Sequence, residues 1–346
     1  MTAPAKDVLV VIPCLNEERM IASVLDQLLA DDRDERCLIV VSDGGSKDLT
    51  RAIVRLYEDR WPGRVSLLDN PGRYQSAATN VAMRRFGAGF DWLVRLDAHS
   101  IYPKDYVSRL VDAAVTMNAD SVVVPMATVG RTCLQRGIAA AQNSRFGTGG
   151  SAHRHPGHSL WVEHGHHALF RLAKFAEVGG YDETYTHNED AELDHRLVKA
   201  GAKIWLQGDL AINYVPRHDL RSLFKQYYAY GKGRARTVMR HKARLRMRQA
   251  APLLVPPALL LALASPWLPL AAAPLAIWLA ACMVIGLSIG LRQGKLCELT
   301  SIGAFIVMHL AWGLGFTVQV LGKGQGAASP SPIILPPAGE PGSAVT

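Results

Sequence analysis

Charged residues are absent from two long stretches of this sequence, although Asp, Glu, Lys and Arg make up 20% of its 346 residues. Residues 249–291 contain none of them in 43 consecutive positions, and residues 299–322 contain none in 24. Uncharged runs of this length are typical of membrane-spanning helices. The chain is therefore predicted to be part soluble and part membrane, and its 49% hydrophobic content excludes a disordered protein.

Cysteine is scarce as well. The five cysteines include no Cys-x-x-Cys pair, and their odd number gives no disulfide framework. This usage suits a reducing compartment, and we predict that the cysteines fill the core or the bilayer. Residues 1–7 lack the basic start and the small-residue cleavage site of a signal peptide, so the N-terminal part is expected to stay in the cytoplasm.

Positive charge is confined to one region. Residues 217–248 hold eleven Lys or Arg against one Asp, so the net charge of +8 leaves −2 for the rest of the chain, which argues against a nucleic-acid surface. We interpret 217–248 as a basic amphipathic helix on a membrane surface. The alternative is a helix packed on the domain with a solvated basic face. The apolar stripe of this helix has helical spacing and consists of Leu220, Leu223, Phe224, Tyr227 and Tyr228.

The uncharged run over 249–291 would extend about 65 Å as a single helix, about twice the thickness of a ~30 Å hydrocarbon core. We predict that it crosses the membrane twice, with a turn near 265–269, and that 299–321 is a third crossing within a transmembrane region of 249–322. The basic flanks belong on the cytoplasmic side, and three crossings would leave the C-terminal tail outside. That tail, 323–346, is rich in Pro, Gly, Ser and Ala and is predicted to be disordered. Whether the spans number two or three stays open.

Residues 1–216 are predicted to form a cytoplasmic α/β domain. Short apolar runs alternate there with helical patterns, which is typical of strand-helix-strand units on a mostly parallel sheet. Ligands of such sheets bind where the strands end. The predicted strands are 8–12, 37–41, 65–68, 92–96 and 121–125, and the predicted helices are 17–30, 49–57, 76–85, 105–117 and 188–200, with regular structure also expected at 173–178.

Polar residues follow the first, second and fourth of these strands. Glu17 comes after the first strand and Asp43 after the second, and both residues also suit an ordinary helix start or turn. After the fourth strand, Asp97 and His99 stand two residues apart. Such a pair can ligate one divalent cation.

Four acids fall within residues 189–194, shortly after Gly179-Gly180-Tyr181-Asp182-Glu183. As a structural feature, each such acid would stabilise a helix N-terminus by about 0.3–1 kcal/mol. Together with the strand-end residues, this order of motifs resembles glycosyltransferase family 2, and most of all its succinoglycan-type exopolysaccharide glucosyltransferases. The resemblance covers about residues 7–240. It implies an inverting glycosyltransferase with the nucleotide-diphospho-sugar transferase (GT-A-like) fold.

The resemblance assigns the base and the metal. It implies that Asp190 is the general base, with Glu189 beside it in the substrate site. The usual metal motif of the family is Asp-x-Asp, and this chain departs from it with Asp97-Ala98-His99. The resemblance implies a manganese or magnesium ion held by Asp97 and His99, whereas the departure keeps open the alternative of a catalytically inactive scaffold.

The resemblance also places the nucleotide. It implies that Glu17 and Asp43 contact the uracil and the ribose of a UDP-sugar. Arg73 and Asn80 match the family's Gly-rich segment, with Arg73 near the diphosphate.

Six histidines fall within residues 153–167. A zinc site is not favoured, because no cysteine is near and the spacing fits no regular tetrahedral set. Neutral histidines can instead hydrogen-bond sugar hydroxyls, so His164 and His166 are predicted to contribute to an acceptor site.

Three residues of the basic region complete the predicted site. Gln226 begins a Gln-Tyr-Tyr stretch that distantly resembles the Gln-x-x-Arg-Trp motif of processive polysaccharide synthases, although its spacing differs and it lacks the Trp. Arg234 and Arg236 are predicted to meet the diphosphate of a lipid-linked acceptor at the headgroup level. The alternative role for these two arginines is to fix the membrane topology.

These patterns lead to one prediction with two rivals. The chain is expected to be a non-processive, metal-dependent transferase on the cytoplasmic face of a bacterial inner membrane, moving glucose from UDP-glucose to a polyprenyl-diphosphate-linked saccharide in exopolysaccharide biosynthesis. The first rival is a polyprenyl-phosphate sugar synthase. The second is an inactive membrane scaffold that assembles other polysaccharide-assembly proteins. The sequence does not fix the sugar, the linkage, the metal or the oligomeric state.

Overall fold

The computed structural model describes residues 8–30, 37–154, 157–245, 247–322 and 330–335. The chain divides into two compact units. The first, here called the sheet unit, comprises Met1–Pro125, Pro156–Ile212 and Ala328–Thr346. The second, the helical unit, comprises Met126–His155 and Asn213–Ala327. The predicted transferase domain, 1–216, is thus divided, since its residues 126–155 group with the helices that follow.

The strands come mainly from short runs of Val, Ile and Leu, which favour a buried sheet. Along the chain they are β1 Val8–Cys14, β2 Cys37–Asp43, β3 Val65–Asp69, β4 Trp92–Arg95, β5 Ser121–Val124, β6 Met126–Thr128, β7 Leu160–Val162, β8 His166–Arg171, β9 Ile204–Leu206 and β10 Ile212–Tyr214. Among the described residues, eight of them form one sheet in the order β3-β2-β1-β4-β8-β5-β9-β7, and β6 pairs with β10.

The sheet is parallel where it carries the predicted strand-end residues. β1 pairs in parallel with β2 and β4, and β2 pairs in parallel with β3. β8 lies antiparallel between β4 and β5, so its first residues meet the carboxyl end of β4. The predicted mostly parallel sheet is therefore confirmed. Two of its strands, β8 and the edge strand β7, pair antiparallel with their neighbours, and neither is among the strands predicted from the sequence.

Amphipathic helices cover the sheet. In α1, for example, Ile21, Val24, Leu25 and Leu28 recur at helical spacing and are all buried. The helices of the sheet unit are α1 Ile21–Leu29, α2 Thr50–Arg60, α3 Gln75–Phe86, α4 Tyr106–Met117, α7 Leu172–Glu177 and α8 Glu189–Lys199. Those of the helical unit are α5 Cys133–Gln142, α6 Arg145–Thr148, α9 Leu220–His241, α10 Met247–Ala250, α11 Val255–Ala262, α12 Ala273–Gln293 and α13 Ser301–Leu321.

The apolar stripe of α9 packs against protein. Leu223 and Tyr227 lie in a buried cluster with Ile138 of α5 and Phe305 and Met308 of α13. The remaining members of the stripe pack against the same cluster. The stripe is thus buried against helices of the same unit, and the predicted position of this helix on a membrane surface stays a prediction.

Two helices in the described part of the chain are long and apolar enough to cross a membrane, Pro269–Arg292 and Leu296–Leu321. The other apolar helix, Ala251–Ala262, would be only about 18 Å long at 1.5 Å per residue, short of a ~30 Å hydrocarbon core. A non-helical turn separates it from the next helix, where a turn near 265–269 is predicted. The structure therefore has two candidate spans where the sequence predicts three.

Two further expectations differ from the structure. Cys133 and Cys297 form a disulfide bond within the helical unit, although the cysteine pattern predicts none. Their 164-residue separation leaves no signal in the local sequence. In the predicted disordered tail, Ile333 and Leu335 pack against the core of the sheet unit, because both are apolar side chains within a Pro-rich segment. The parts of that tail on either side of residues 330–335 lie outside the described residues.

Candidate active site

The carboxyl ends of β1, β2 and β4 bring the predicted residues to one edge of the sheet. Cys14 at the end of β1 is in register with Asp43 at the end of β2, and Arg95 ends β4. Glu17, Asp97 and His99 follow within four residues of these strand ends. This is the edge at which ligands of parallel sheets bind.

Asp43 is a fully buried carboxylate at this edge. It accepts hydrogen bonds from the backbone N–H groups of Gly45 and Ser46, and Arg51 Nη1 lies 2.8 Å from its Oδ2. Burial alone raises the pKa of Asp43, but the hydrogen bonds from Ser46 and Arg51 outweigh it and lower the pKa below the usual value. The carboxylate is therefore charged and fixed in place, and its predicted contact with the nucleotide stays a prediction.

Two other predicted nucleotide contacts lie beside Asp43. Glu17 Oε1 is 3.1 Å from His99 Nδ1, which joins the β1 and β4 loops. Arg73 has a left-handed backbone with φ of 65°, and its Nε donates to the carbonyl oxygen of Gly44, 3.3 Å away. The structure thus brings Glu17, Asp43 and Arg73 together at the ends of β1 and β2.

Asp97 and His166 face each other across β4 and β8. The antiparallel register of these strands places the start of β8 beside the residues that follow β4, and His166 Nε2 is 3.8 Å from Asp97 Oδ2. The side chains are 15% and 24% exposed, respectively, so both reach the surface of the site. In the described residues no cluster of three or more His, Cys, Asp or Glu could hold a metal by itself.

Asp190 is anchored by two groups at the start of α8. Its Oδ1 accepts hydrogen bonds from Arg95 Nη1 and from the Tyr181 hydroxyl, each at 2.8 Å. The Arg95 side chain is 1% exposed and that of Asp190 is 19% exposed, so the pair joins the buried sheet to the surface of the site. Arg95 therefore orients the carboxylate that is predicted to be the base.

The charge of Arg95 connects Asp190 with Asp97. Burial alone lowers the pKa of the Arg95 guanidinium, and the nearby carboxylates, Asp190 first and then Asp97 and Glu189, raise it well above its usual value. A permanently charged guanidinium thus lies among all three acids. Arg95 thus bonds the carboxylate assigned to the base and stands two residues before the carboxylate assigned to the metal.

A second contact joins α8 to the residues that precede β8. His164 Nδ1 contacts Oδ2 of Asp194, which is 1% exposed and lies one helical turn beyond Asp190 on α8. The backbone N–H of Gly165 donates to the same oxygen at 3.4 Å. His164 is thereby held on the face of α8 that carries Asp190, while His166, two residues on, faces Asp97.

Glu189 is a buried acid next to Asp190. It is 8% exposed and accepts a hydrogen bond from Gln75 of α3. Burial, together with the negative charge of Asp190, raises the pKa of Glu189 above its usual value of 4.5.

The raised pKa of Glu189 predicts that its charged carboxylate lowers the stability of the fold at high pH. Its contribution to stability is fully present at low pH, below the unfolded pKa, and is lost as the pH rises through the folded pKa. Glu189→Gln removes this charge, and the new amide oxygen can still accept from Gln75. We expect the variant to melt about 2–4 °C above the parent at pH 8, as about 1 kcal/mol would give, and to match it at pH 4. Thermal unfolding of both proteins at the two pH values tests this, and a variant that is less stable at pH 8 would contradict it.

Asn80 connects α3 to the Gly-Gly-Tyr turn. It is 2% exposed, its Nδ2 donates to the carbonyl oxygen of Tyr181 at 2.8 Å, and its Oδ1 accepts from the Tyr181 N–H at 2.9 Å. Its Nδ2 also donates to Glu183 at 2.9 Å. These contacts place Asn80 behind Tyr181, and its predicted role in substrate binding stays a prediction.

Comparisons with known proteins identify the family of the chain. A family model described as glycosyl transferase family 2 matches residues 9–179. Over 316 residues the chain is 47% identical to the succinoglycan biosynthesis protein ExoA of Rhizobium meliloti (strain 1021), a similarity that covers 90% of this chain and 94% of that protein. The chain belongs to glycosyltransferase family 2. It is therefore an enzyme, and its predicted resemblance to the succinoglycan-type members is confirmed.

Two more distant proteins are also similar to this family 2 transferase. A dolichyl N-acetyl-alpha-D-glucosaminyl phosphate 3-beta-D-2,3-diacetamido-2,3-dideoxy-beta-D-glucuronosyltransferase of Methanococcus voltae is 21% identical over 232 residues, 64% of this chain and 71% of that protein. The solved mannosyltransferase PcManGT from Pyrobaculum calidifontis, in complex with GDP-Man and Mn2+, matches with a TM-score of 0.57 at 20% identity, covering 92% of this chain and 88% of that one. The latter likeness concerns the fold alone and agrees with the predicted GT-A-like architecture.

The remaining predicted residues of the transferase lie in the helical unit. Gln226 is 7% exposed, and its Nε2 donates to the hydroxyls of Tyr214 and Tyr230 at 2.9 and 3.1 Å. Arg234 Nη2 lies 3.1 Å from Gln249 Oε1, and Arg236 is half-buried on the same helix, α9. Their predicted contacts with the acceptor stay predictions.

The sequence did not reveal which residues position Asp190 and His164. Arg95 and Tyr181 orient Asp190, and Asp194 orients His164. The two residues of these pairs are 95, 9 and 30 positions apart along the chain, respectively. One signal was available, since Arg95 is a charged residue at the end of an apolar strand and two residues before Asp97. A buried charge requires a partner, which points to an acid elsewhere.

Proposed function

We propose that this transferase moves glucose from UDP-glucose to a polyprenyl-diphosphate-linked saccharide, with inversion, in exopolysaccharide biosynthesis. The observation that carries the proposal is the placement of Asp190, which Arg95 and Tyr181 hydrogen-bond, beside the end of β4, two residues before Asp97. The 47% identity to the succinoglycan biosynthesis protein of Rhizobium meliloti supports the exopolysaccharide assignment.

The proposed chemistry requires a base on one side of the sugar. A sugar hydroxyl is a weak nucleophile, so a carboxylate must take its proton as its oxygen attacks the anomeric carbon. Asp190 suits this role because both of its anchoring hydrogen bonds reach the same oxygen, Oδ1, and fix the carboxylate group. The C–O bond to the diphosphate breaks as the new C–O bond forms, which inverts the anomeric carbon.

The proposed chemistry also requires positive charge on the other side of the sugar, where UDP leaves. The donor set beside β4 fits a divalent cation, because Asp97 supplies a carboxylate oxygen and His166 an imidazole nitrogen on the same surface. Two protein ligands suffice when diphosphate oxygens complete the coordination. His99 remains the second ligand predicted from the sequence, although its Nδ1 contacts Glu17. A bound manganese or magnesium ion would neutralise charge on the diphosphate.

The proposed reaction takes place at a membrane surface. The two candidate spans and the basic α9 support an anchor whose positive flank lies on the cytoplasmic side, where UDP-sugars are dissolved. A polyprenyl-linked acceptor presents its diphosphate at the headgroup level of the same surface. A bacterial inner membrane with the sheet unit in the cytoplasm satisfies both requirements.

The arginines of α9 provide a prediction about the acceptor. Replacing Arg234 and Arg236 by Gln should raise the KM for the lipid-linked acceptor by at least about tenfold while the donor KM changes little, because a lost charge-assisted contact to a phosphate is worth about 1.5–3 kcal/mol. Steady-state kinetics with each substrate varied in turn measures both constants. A larger rise in the donor KM than in the acceptor KM would remove these arginines from the acceptor site.

One experiment tests the proposed function as a whole. The purified chain in lipid vesicles is incubated with manganese, radiolabelled UDP-glucose and lipid extracts from an exopolysaccharide-producing bacterium. The proposal predicts label in an organic-soluble product that is released as an oligosaccharide by mild acid. Label in a polyprenyl monophosphate sugar, or transfer from GDP-mannose instead of UDP-glucose, would contradict it.

A further inference from the structure

Residues 330–335, here called the C-terminal segment, are part of the sheet unit. The backbone N–H of Ile333 donates to the carbonyl oxygen of Ala176 at 3.0 Å. Ile333 and Leu335 pack against the cluster that contains Phe175 and Tyr181. Ile334 between them is 91% exposed. The segment therefore binds the sheet unit through alternate side chains, as an extended chain does on a surface.

The contact is closest at the two glycines that precede Tyr181. Gly179 and Gly180 have left-handed backbones with φ of 82° and 64°. A Cβ added to Gly179 would lie 2.4 Å from the carbonyl oxygen of Ser331, and one added to Gly180 would lie 2.8 Å from Ile333 Cδ1. Both positions thus need glycine for backbone conformation and for space. The C-terminal segment fits directly onto this turn.

The turn is held from two sides, and its last residue, Tyr181, hydrogen-bonds the proposed base. Asn80 binds both backbone groups of Tyr181, and the C-terminal segment covers the preceding glycines. The hydroxyl of Tyr181 donates to Asp190 at 2.8 Å, and the Arg95 guanidinium lies 5.8 Å from the centre of the Tyr181 ring. A shift of the turn would move Tyr181 and, with it, one of the two anchors of Asp190.

We propose that the C-terminal segment is a positioning element of the active site, which holds the Gly179-Gly180-Tyr181 turn and thereby the carboxylate of Asp190. The inference rests on the proposed function for the role of Asp190, but the docking itself does not.

The docking of the C-terminal segment also limits how many times the chain can cross the membrane. Because the chain returns to the sheet unit at residue 330, both lie on the same side of the membrane, and the number of crossings between them is even. Two spans meet this condition, and the predicted three do not.

Neighbouring isoleucines provide the test and its matched control. Ile333→Ser removes the buried contact, whereas Ile334→Ser makes the same chemical change at an exposed position. We expect Ile333→Ser to lower kcat by about tenfold with the donor KM unchanged, because small displacements of a positioned group cost large factors in rate. Ile334→Ser should keep the parent kcat, and the conservative Ile333→Val should restore most of it. Equal kcat in the two serine variants would overturn the proposal.

Hydrogen exchange tests the same proposal without any transfer assay. The peptide that contains Gly179, Gly180 and Tyr181 should exchange faster in Ile333→Ser than in the parent and in Ile334→Ser, all measured on the full chain in detergent. Unchanged exchange in Ile333→Ser would overturn the docking. A parent protein that transfers no sugar but shows this difference would refute the proposed function and retain the docking.

A labelling experiment tests the side of the membrane. Ile334→Cys introduces an exposed thiol into a chain whose described free cysteines, Cys14, Cys37 and Cys282, are buried. A membrane-impermeant maleimide should label this variant, above the background of the parent, only after spheroplasts are lysed. Labelling in intact spheroplasts would place the segment outside and contradict the proposal.

Discussion

Asp190→Asn is expected to lower the turnover number at least ~100-fold while UDP-glucose still binds with the parent affinity. General-base catalysis typically contributes about 10²–10⁴ in rate, and an amide cannot take the proton of the attacking hydroxyl. The amide oxygen can still accept from Arg95 and Tyr181, so the local structure should be kept. Radiometric transfer assays give the rate, and calorimetric titration with UDP-glucose gives the affinity.

The matched control for this variant is Asp209→Asn. Asp209 forms a surface ion pair with Arg109, and its side chain is 56% exposed. Such pairs contribute little to stability, about 0–1 kcal/mol, and we expect parent turnover from this control. If transfer by Asp190→Asn falls less than tenfold, Asp190 is not the base.

Asp97→Asn is expected to act on the opposite side of the donor sugar. Loss of the only carboxylate among the proposed ligands should weaken manganese-dependent binding of UDP by about 10–100-fold and lower kcat/KM by at least about 100-fold. The change differs from that in Asp190→Asn, because donor binding falls together with the rate. Titration of UDP with and without manganese separates the two effects.

Two histidine variants test which histidine acts together with Asp97 as a metal ligand. His166→Gln should weaken manganese-dependent binding if His166 is a ligand, and His99→Gln should do so if the ligand predicted from the sequence is correct. Both histidines lie within the site, at 15% and 62% side-chain exposure. A manganese effect on UDP affinity that survives intact in Asp97→Asn would show that the cation is not held at this strand end.

The parallel half of the sheet could be predicted from the sequence because its information is local. The runs 8–12 and 37–41 are apolar, short and bounded by turn residues, and they became β1 and β2 with two further residues each. The acids at their ends were found for the same reason, since the polar residues follow the apolar runs directly. The strand ends therefore give the positions of Glu17, Asp43, Asp97 and His99.

The rest depends on contacts between distant residues. β8 begins with two histidines and forms a strand because β4 and β5 flank it, so its own composition does not reveal it. Asp190 meets Arg95 across 95 residues, and Cys133 meets Cys297 across 164. Ile333 and Leu335 are two apolar residues in a segment whose composition suggests disorder. Only the folded chain shows that they have a surface to bind.

The most direct measurement is an experimental structure of the Asp190→Asn variant with UDP-glucose and manganese. The account predicts that the diphosphate lies against Asp97 and His166, and that the anomeric carbon faces residue 190 with room for an acceptor hydroxyl between them. A nucleotide bound in another cavity, or a sugar separated from residue 190 by the body of the sheet unit, would contradict the claim that both carboxylates act on one donor.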